Sequence, residues 1–299
     1  SGDPLIYESY WEERGDESHS FSVPLHQSLS YFSENRGGIC WFMEPELESQ
    51  IRKLHHVVGN AAVEGKHIVV GTGSSQLILA ALHALSVSID ASDPVSVVAA
   101  APYYSSYPEM AGFLRSSLFE WGGDAVEFEG NGGPYIEIVT SPNNPDGATR
   151  EAAVANEGGK RGGGMIVHDL AYYWPQYTAI TAALDHDIML FAASKCSGHA
   201  GSRIGWAVVR DEETARKMVK FIEISTIGVS KEAQLRAADI LQIISLTCSH
   251  DNNDDDDAAA FFQRHHSLMA QRWKKLRQIL LKDSNLFHIT KFPIRYCNF

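Results

Sequence analysis

Six short apolar runs, rich in β-branched and aromatic residues, recur through the middle of the chain at 66–70, 95–101, 135–140, 164–169, 187–194 and 204–211. Helical patterns separate them, and that alternation predicts βαβ units around a mostly parallel sheet, an α/β fold. Several runs are apolar throughout or nearly so, as strands covered on both faces should be. An apolar helix is predicted over 76–89, entered directly from a glycine-rich turn. The spacing of Leu235, Ala238, Ile240, Leu241 and Ile244 predicts another over 231–245, and a long amphipathic stretch over 258–281 has the length of a linker helix leaving the sheet domain. Loops are expected at 122–133, at 157–164 (EGGKRGGG) and at 250–257 (HDNNDDDD).

Strand ends are where this pattern places chemistry, because in an open parallel sheet the carboxyl ends of the strands line one crevice. Asn144 follows the run at 135–140, Asp169 ends the next with Tyr172 close behind, and Lys195 follows the apolar run at 187–194. A lysine there is costly as a desolvated ammonium, and the same desolvation lowers its pKa and makes it a Schiff-base nucleophile. Read alone, the segment also suits a surface lysine just past a strand. The four residues together match what a pyridoxal ring needs. A carboxylate keeps the pyridine nitrogen protonated, and an amide and a phenol hydrogen-bond the ring oxygen.

A phosphate would need its own cradle, and Gly71-Thr72-Gly73-Ser74-Ser75-Gln76 supplies one at a helix N-terminus, with Arg203 as a bidentate charge. The turn nearly fits a dinucleotide fingerprint, but Gln76 stands at the third glycine and no suitable acidic residue follows. Tyr104 closes the run at 95–101 and is placed either to stack on a cofactor ring or to pack in the core.

Composition removes other classes. With 25 basic and 37 acidic residues the formal charge is −12, and there is no basic stripe, which argues against nucleic acid or an anionic membrane as partner. Four cysteines without C-x-x-C spacing suit reduced thiols in a cytoplasmic protein. No apolar run has the length of a membrane helix, and no signal-peptide pattern precedes the fold. The adjacent pairs His55-His56 and His265-His266 cannot both face one ion from a helix, the aspartate run lacks EF-hand spacing, and no G-x-S-x-G is present, so no metal site or serine nucleophile is expected.

Jointly, the segments at 141–147, 169–175 and 194–206 resemble those of fold-type I pyridoxal-phosphate enzymes, and more closely the plant alliinase and tryptophan aminotransferase-related family. Gly2-Asp3-Pro4, Tyr10-Trp11, Ser30-Tyr31-Phe32, Trp41-Phe42-Met43-Glu44-Pro45 and Val57-Val58-Gly59-Asn60 extend the likeness almost end to end. The resemblance implies pyridoxal 5′-phosphate as cofactor, carried by Lys195, with Asp169 on the pyridine nitrogen, Asn144 and Tyr172 on the ring oxygen, and Tyr104 stacked on the ring. It puts the phosphate on Gly73, Ser74, Ser75, Ser194 and Arg203, and has Tyr31 reach the cofactor of the partner subunit in a homodimer. It also implies a large cofactor domain over 25–258, with 1–24 and 259–299 contributing to a smaller α+β domain that is incomplete here. The Trp-Phe pair and the alanine before Tyr172 are closer to the tryptophan aminotransferase branch than to the alliinase branch. Transfer of the amino group of tryptophan to a 2-oxo acid such as pyruvate is therefore expected, yielding indole-3-pyruvate for auxin biosynthesis. C–S lysis and an inactive, truncated member are the alternatives, since the arginine expected on the substrate carboxylate would lie beyond Phe299.

Overall fold

The computed structural model describes residues 5–14, 21–33, 38–89, 93–129, 133–154, 164–249 and 261–282. The loop expected at 250–257, nearly all of that at 157–164, the Gly2-Asp3-Pro4 motif and the chain from 283 to Phe299 lie outside the described residues. Seven strands among the described residues form one sheet: β1 (His67–Gly71), β2 (Val95–Ala99), β3 (Phe119–Asp124), β4 (Tyr135–Thr140), β5 (Gly164–Asp169), β6 (Ile188–Ala192) and β7 (Gly205–Val209). Their order is β1-β7-β6-β5-β4-β2-β3, with β7 antiparallel to both neighbours and the other pairs parallel. The fold is thus α/β with a mostly parallel sheet. Every residue of β6 and β7 is buried, which is why their sequences are apolar on both faces.

All six apolar runs are strands, and β3 adds a seventh where the loop beginning at Gly122 was expected. β3 is an edge strand that packs mainly through Phe119, and its register on β2 shifts between Val97 and Val98. A Cβ on Gly122 would lie 3.0 Å from the side chains of Ser96 and Val98. The glycine that reads as a turn signal therefore lets this strand close on its neighbour.

Among the described residues eight α-helices accompany the sheet: α1 (Glu8–Glu12), α2 (Pro45–Val58), α3 (Ser74–Ser86), α4 (Ser106–Phe113), α5 (Ala193–Cys196), α6 (Glu212–Thr226), α7 (Lys231–Ser249) and α8 (Phe261–Leu281). α2 begins on Pro45 in its first turn and stops at Gly59, whose φ of 70° an L side chain resists. α6 begins where the Asp211 carboxylate accepts the Thr214 N–H at 2.7 Å. α2 packs on α7, and α3 packs on α6. The short N-terminal α1 brings the buried Tyr10 against Phe261 and His265 of α8.

One buried chain of hydrogen bonds ties β7 and α2 to the loop after β5. Trp206 Nε1 donates to His55 Nε2 at 2.9 Å, which leaves the ring proton on Nδ1 to be donated to Asn60 Oδ1 at 2.8 Å. Asn60 Nδ2 then donates to the Tyr173 carbonyl at 2.8 Å, on the loop that also carries Tyr172. Burial pushes the His55 imidazole down from 6.5 to about 4. The folded state thus binds fewer protons than the unfolded one in that window. The stability from neutral His55 is present above pH 6.5 and is lost as pH falls towards 4, by up to about 3 kcal/mol. The urea midpoint should therefore fall between pH 7 and pH 4, and a flat profile would contradict this account.

Candidate active site

The carboxyl ends of β4, β5 and β6 and the N-terminus of α3 enclose a cavity of about 290 Å³. Asn144, Asp169, Tyr172, Ser194 and Lys195 line it from the strand ends, Ser74 and Ser75 from α3, Tyr104 from the turn before α4, and Arg203 from the turn before β7. The residues singled out from the strand-end motifs therefore meet in one place.

Lys195 sits in the one-turn helix α5, immediately after the fully buried β6. Its Nζ lies 5.1 Å from the centre of the Tyr172 ring. Desolvation lowers its pKa, and the nearby Asp169 charge opposes that shift. The turn is held from behind: Gln176 Nε2 donates to the carbonyls of Lys195 at 3.0 Å and Cys196 at 3.2 Å, and Trp11 Nε1 donates to the Ser197 carbonyl at 3.0 Å. A Cβ on Gly198, where φ is 86°, would fall 2.5 Å from the Tyr7 ring. Residues near the N-terminus thus shape the Lys195 turn.

Asp169 is the last residue of β5 and is buried. Desolvation raises its pKa, while the Tyr107 hydroxyl, the Ala171 N–H and the Lys195 charge pull it back down. Tyr172 is held up at about 12, first by burial and then by the Asp169 charge, so its hydroxyl is a donor at neutral pH. The loop bearing Asn144 is fixed by its neighbours. Asn143 Nδ2 donates to the Pro102 carbonyl and to Asp146, both within 2.8 Å, and Arg150 pairs with Asp146 and donates to the Ala100 carbonyl.

α3 begins without a side-chain cap, so its first N–H groups are free to face the cavity beside the Ser74 and Ser75 hydroxyls. Gly73 has φ 91°, and a Cβ there would fall 2.6 Å from Arg203 Nη2. Arg203 is aimed by donating Nη1 to the Ala200 carbonyl at 2.9 Å and Nη2 to the Thr72 carbonyl at 3.3 Å. Gln76, which breaks the dinucleotide fingerprint, instead braces this turn by accepting from the Thr72 N–H at 2.8 Å. These donors fit a phosphate, the buried carboxylate fits a protonated ring nitrogen, and the desolvated amine fits a carbonyl carbon, so the residues suit pyridoxal phosphate.

Tyr31 is not brought into this cavity by its own chain. It is exposed and packs on Phe32 and Trp41, with ring centres at 4.6 and 6.0 Å. Tyr107 and Thr140 line the cavity without having been singled out from the sequence. No sequence signal marks either: Tyr107 is one more aromatic in a short helix, and Thr140 is the last residue of a buried strand. Among the described residues no group of three His, Cys, Asp or Glu side chains is placed to hold a metal, and no helix is long and apolar enough to cross a membrane.

The allinase family profile matches residues 1–299, the whole chain. The chain belongs to the allinase family. Tryptophan aminotransferase-related protein 2 of Arabidopsis thaliana is 51% identical to it over 298 residues, covering 100% of this chain and 64% of the relative. An alliin lyase of Allium cepa var. aggregatum is 36% identical over 305 residues, covering 100% of this chain and 65% of the lyase. The allinase-family chain thus spans a little under two thirds of the length of these relatives. Its fold is that of the aminotransferases: a mutant aspartate aminotransferase of Thermus thermophilus superposes with a TM-score of 0.61 at 19% identity, over 87% of this chain and 69% of that one.

Proposed function

We propose that this chain is the cofactor-holding part of a pyridoxal-phosphate-dependent aminotransferase that moves the amino group of an aromatic L-amino acid, tryptophan first, to a 2-oxo acid such as pyruvate. The product would be indole-3-pyruvate, for auxin biosynthesis. The observation that carries the reading is the convergence of Lys195, Asp169, Tyr172 and Asn144 on one cavity that also receives an uncapped helix N-terminus and Arg203. The higher identity to a tryptophan aminotransferase-related protein, 51% against 36% for an alliin lyase, favours transamination over C–S lysis.

The bound group supplies an electron-withdrawing ring that stabilises negative charge at the substrate α-carbon. Lys195 Nζ, whose pKa burial lowers, would hold the group covalently and later move the α-proton. Asp169 keeps a proton on the ring nitrogen. Tyr172 and Asn144 orient the ring through its oxygen, and Tyr104 covers its face. Gly73, Ser74, Ser75, Ser194 and Arg203 bind the phosphate. We assign 25–258 to the large cofactor domain, with 1–24 and 259–299 contributing to the smaller one. A homodimer in which Tyr31 serves the partner's site is supported by the exposure of Tyr31 together with Leu25, Leu29 and Phe32. A cytoplasmic location is supported by Cys40, Cys196 and Cys248 all being free.

The test is an absorption spectrum of the purified chain loaded with pyridoxal phosphate, before and after L-tryptophan, with sedimentation of the same sample. A band near about 420 nm that tryptophan depletes, with release of indole-3-pyruvate from a dimer, is expected. Pyruvate and ammonia from an S-alkyl-cysteine sulfoxide would instead identify the lyase. A band that no amino acid changes would mean cofactor binding without turnover, and absence of any band would overturn the cofactor assignment.

A further inference from the structure

Tyr107 is 1% exposed, and its hydroxyl lies between two oxygens, 2.6 Å from Thr140 Oγ1 and 2.8 Å from Asp169 Oδ2. A phenol has one proton. The carboxylate can only accept it, so Tyr107 donates to Asp169, and the Thr140 hydroxyl must donate to the Tyr107 oxygen. The direction of the whole chain is therefore determined: Thr140 to Tyr107 to Asp169.

We propose that Tyr107 is a positioning residue whose one-way hydrogen bond, itself backed by Thr140, holds the Asp169 carboxylate charged and aimed into the cavity. The inference rests on the reading of Asp169 as the carboxylate that faces the cofactor nitrogen. Burial disfavours the charged form of Asp169, and three groups oppose that: the Tyr107 hydroxyl, the Ala171 N–H and the Lys195 ammonium. The ammonium is the one of the three that is consumed when Lys195 reacts with a carbonyl. The Ala171 N–H is the longer contact, at 3.2 Å. Tyr107 is thus the closest donor that survives occupation of the site. It stays protonated at neutral pH because burial, and then the Asp169 charge itself, push its phenol well above 10.

The titratable groups facing Asp169 are Tyr107 of α4, Lys195 of α5, and Tyr172 on the loop after β5. Tyr104 bears on the same cluster: its ring meets that of Tyr107 edge-on at 5.5 Å, and its carbonyl accepts the Tyr107 N–H at 3.0 Å. A single side chain therefore braces both the carboxylate and the aromatic proposed to cover the ring.

The experiment is a pH titration of the cofactor-free chain by infrared difference spectroscopy, following the carboxylic acid C=O band that Asp169→Asn removes. Tyr107→Phe should raise the pH at which this band appears by about one to two units, a ten- to hundredfold change in the protonation constant. Pyridoxal phosphate affinity of the same variant, by equilibrium dialysis, should weaken progressively as pH falls through that raised value. Protonation of Tyr107→Phe at the parent's pH would overturn the proposal. Should Tyr107→Phe fail to fold, Thr140→Val carries the test. It should shift the same band upward by a smaller amount, and no shift would overturn the relay. Because the band is read without cofactor, failure of the relay and failure of the chain to bind pyridoxal phosphate are separate outcomes.

Discussion

Lys195→Ala, loaded with pyridoxal phosphate and passed through gel filtration, is expected to show no band near about 420 nm and to retain no cofactor after borohydride reduction. Turnover should fall by at least about 10⁴-fold, because one side chain provides both the covalent attachment and the proton transfer. Another lysine cannot easily substitute. Lys66 is buried, but its ammonium donates to the His186 carbonyl at 3.0 Å and is ion-paired with Asp185. The donors around Gly73 and Arg203 proposed for the phosphate are untouched by the change, so weak reversible binding of the cofactor should persist. Undiminished turnover, or a stable band in the variant, would refute the assignment of Lys195.

Asp169→Ala is expected to separate attachment from catalysis. The amine of Lys195 is still present, so the absorption band should form. Loss of the buried partner of a protonated ring nitrogen costs about 3–5 kcal/mol, or roughly 10²- to 10⁴-fold in rate. The variant should therefore bind cofactor and turn over poorly, whereas Lys195→Ala should do neither stably. An Asp169→Ala protein with the parent's turnover would mean that the ring nitrogen faces some other group. The substitution also strands the Tyr107 hydroxyl, which retains Thr140 as a partner at 2.6 Å.

How much of this arrangement the sequence reveals differs from residue to residue. Lys195, Asp169 and Asn144 were legible because each ends or follows a strand-like run, and a parallel sheet delivers the carboxyl ends of its strands to one edge. Gly73 was legible as a turn residue. Its closer purpose, leaving room for Arg203, depends on a residue far along the chain. Tyr107 was not legible. In sequence it is one more aromatic in a short helix, and it acquires its role because α4 sets it against the ends of β4 and β5 at once. The second half of β3, from Gly122, was read as a loop because its glycines mimic a turn, and an edge strand packed chiefly through Phe119 has little apolar pattern to show.

Local order along the chain by itself determined the class of fold, the positions of six strands and the helices between several of them, since burial on both faces of a parallel sheet demands continuous apolar runs. It also determined which residue types stand at the strand ends. The antiparallel direction of β7 was decided only in three dimensions, because the burial pattern of a strand is the same in either direction. So was the bracing of the Lys195 turn by Tyr7, Trp11 and Gln176, and so was the supply of a hydroxyl to Asp169 by Tyr107. Each of these contacts joins residues distant in the chain, and the folded core rather than any local pattern brings such residues within hydrogen-bonding reach.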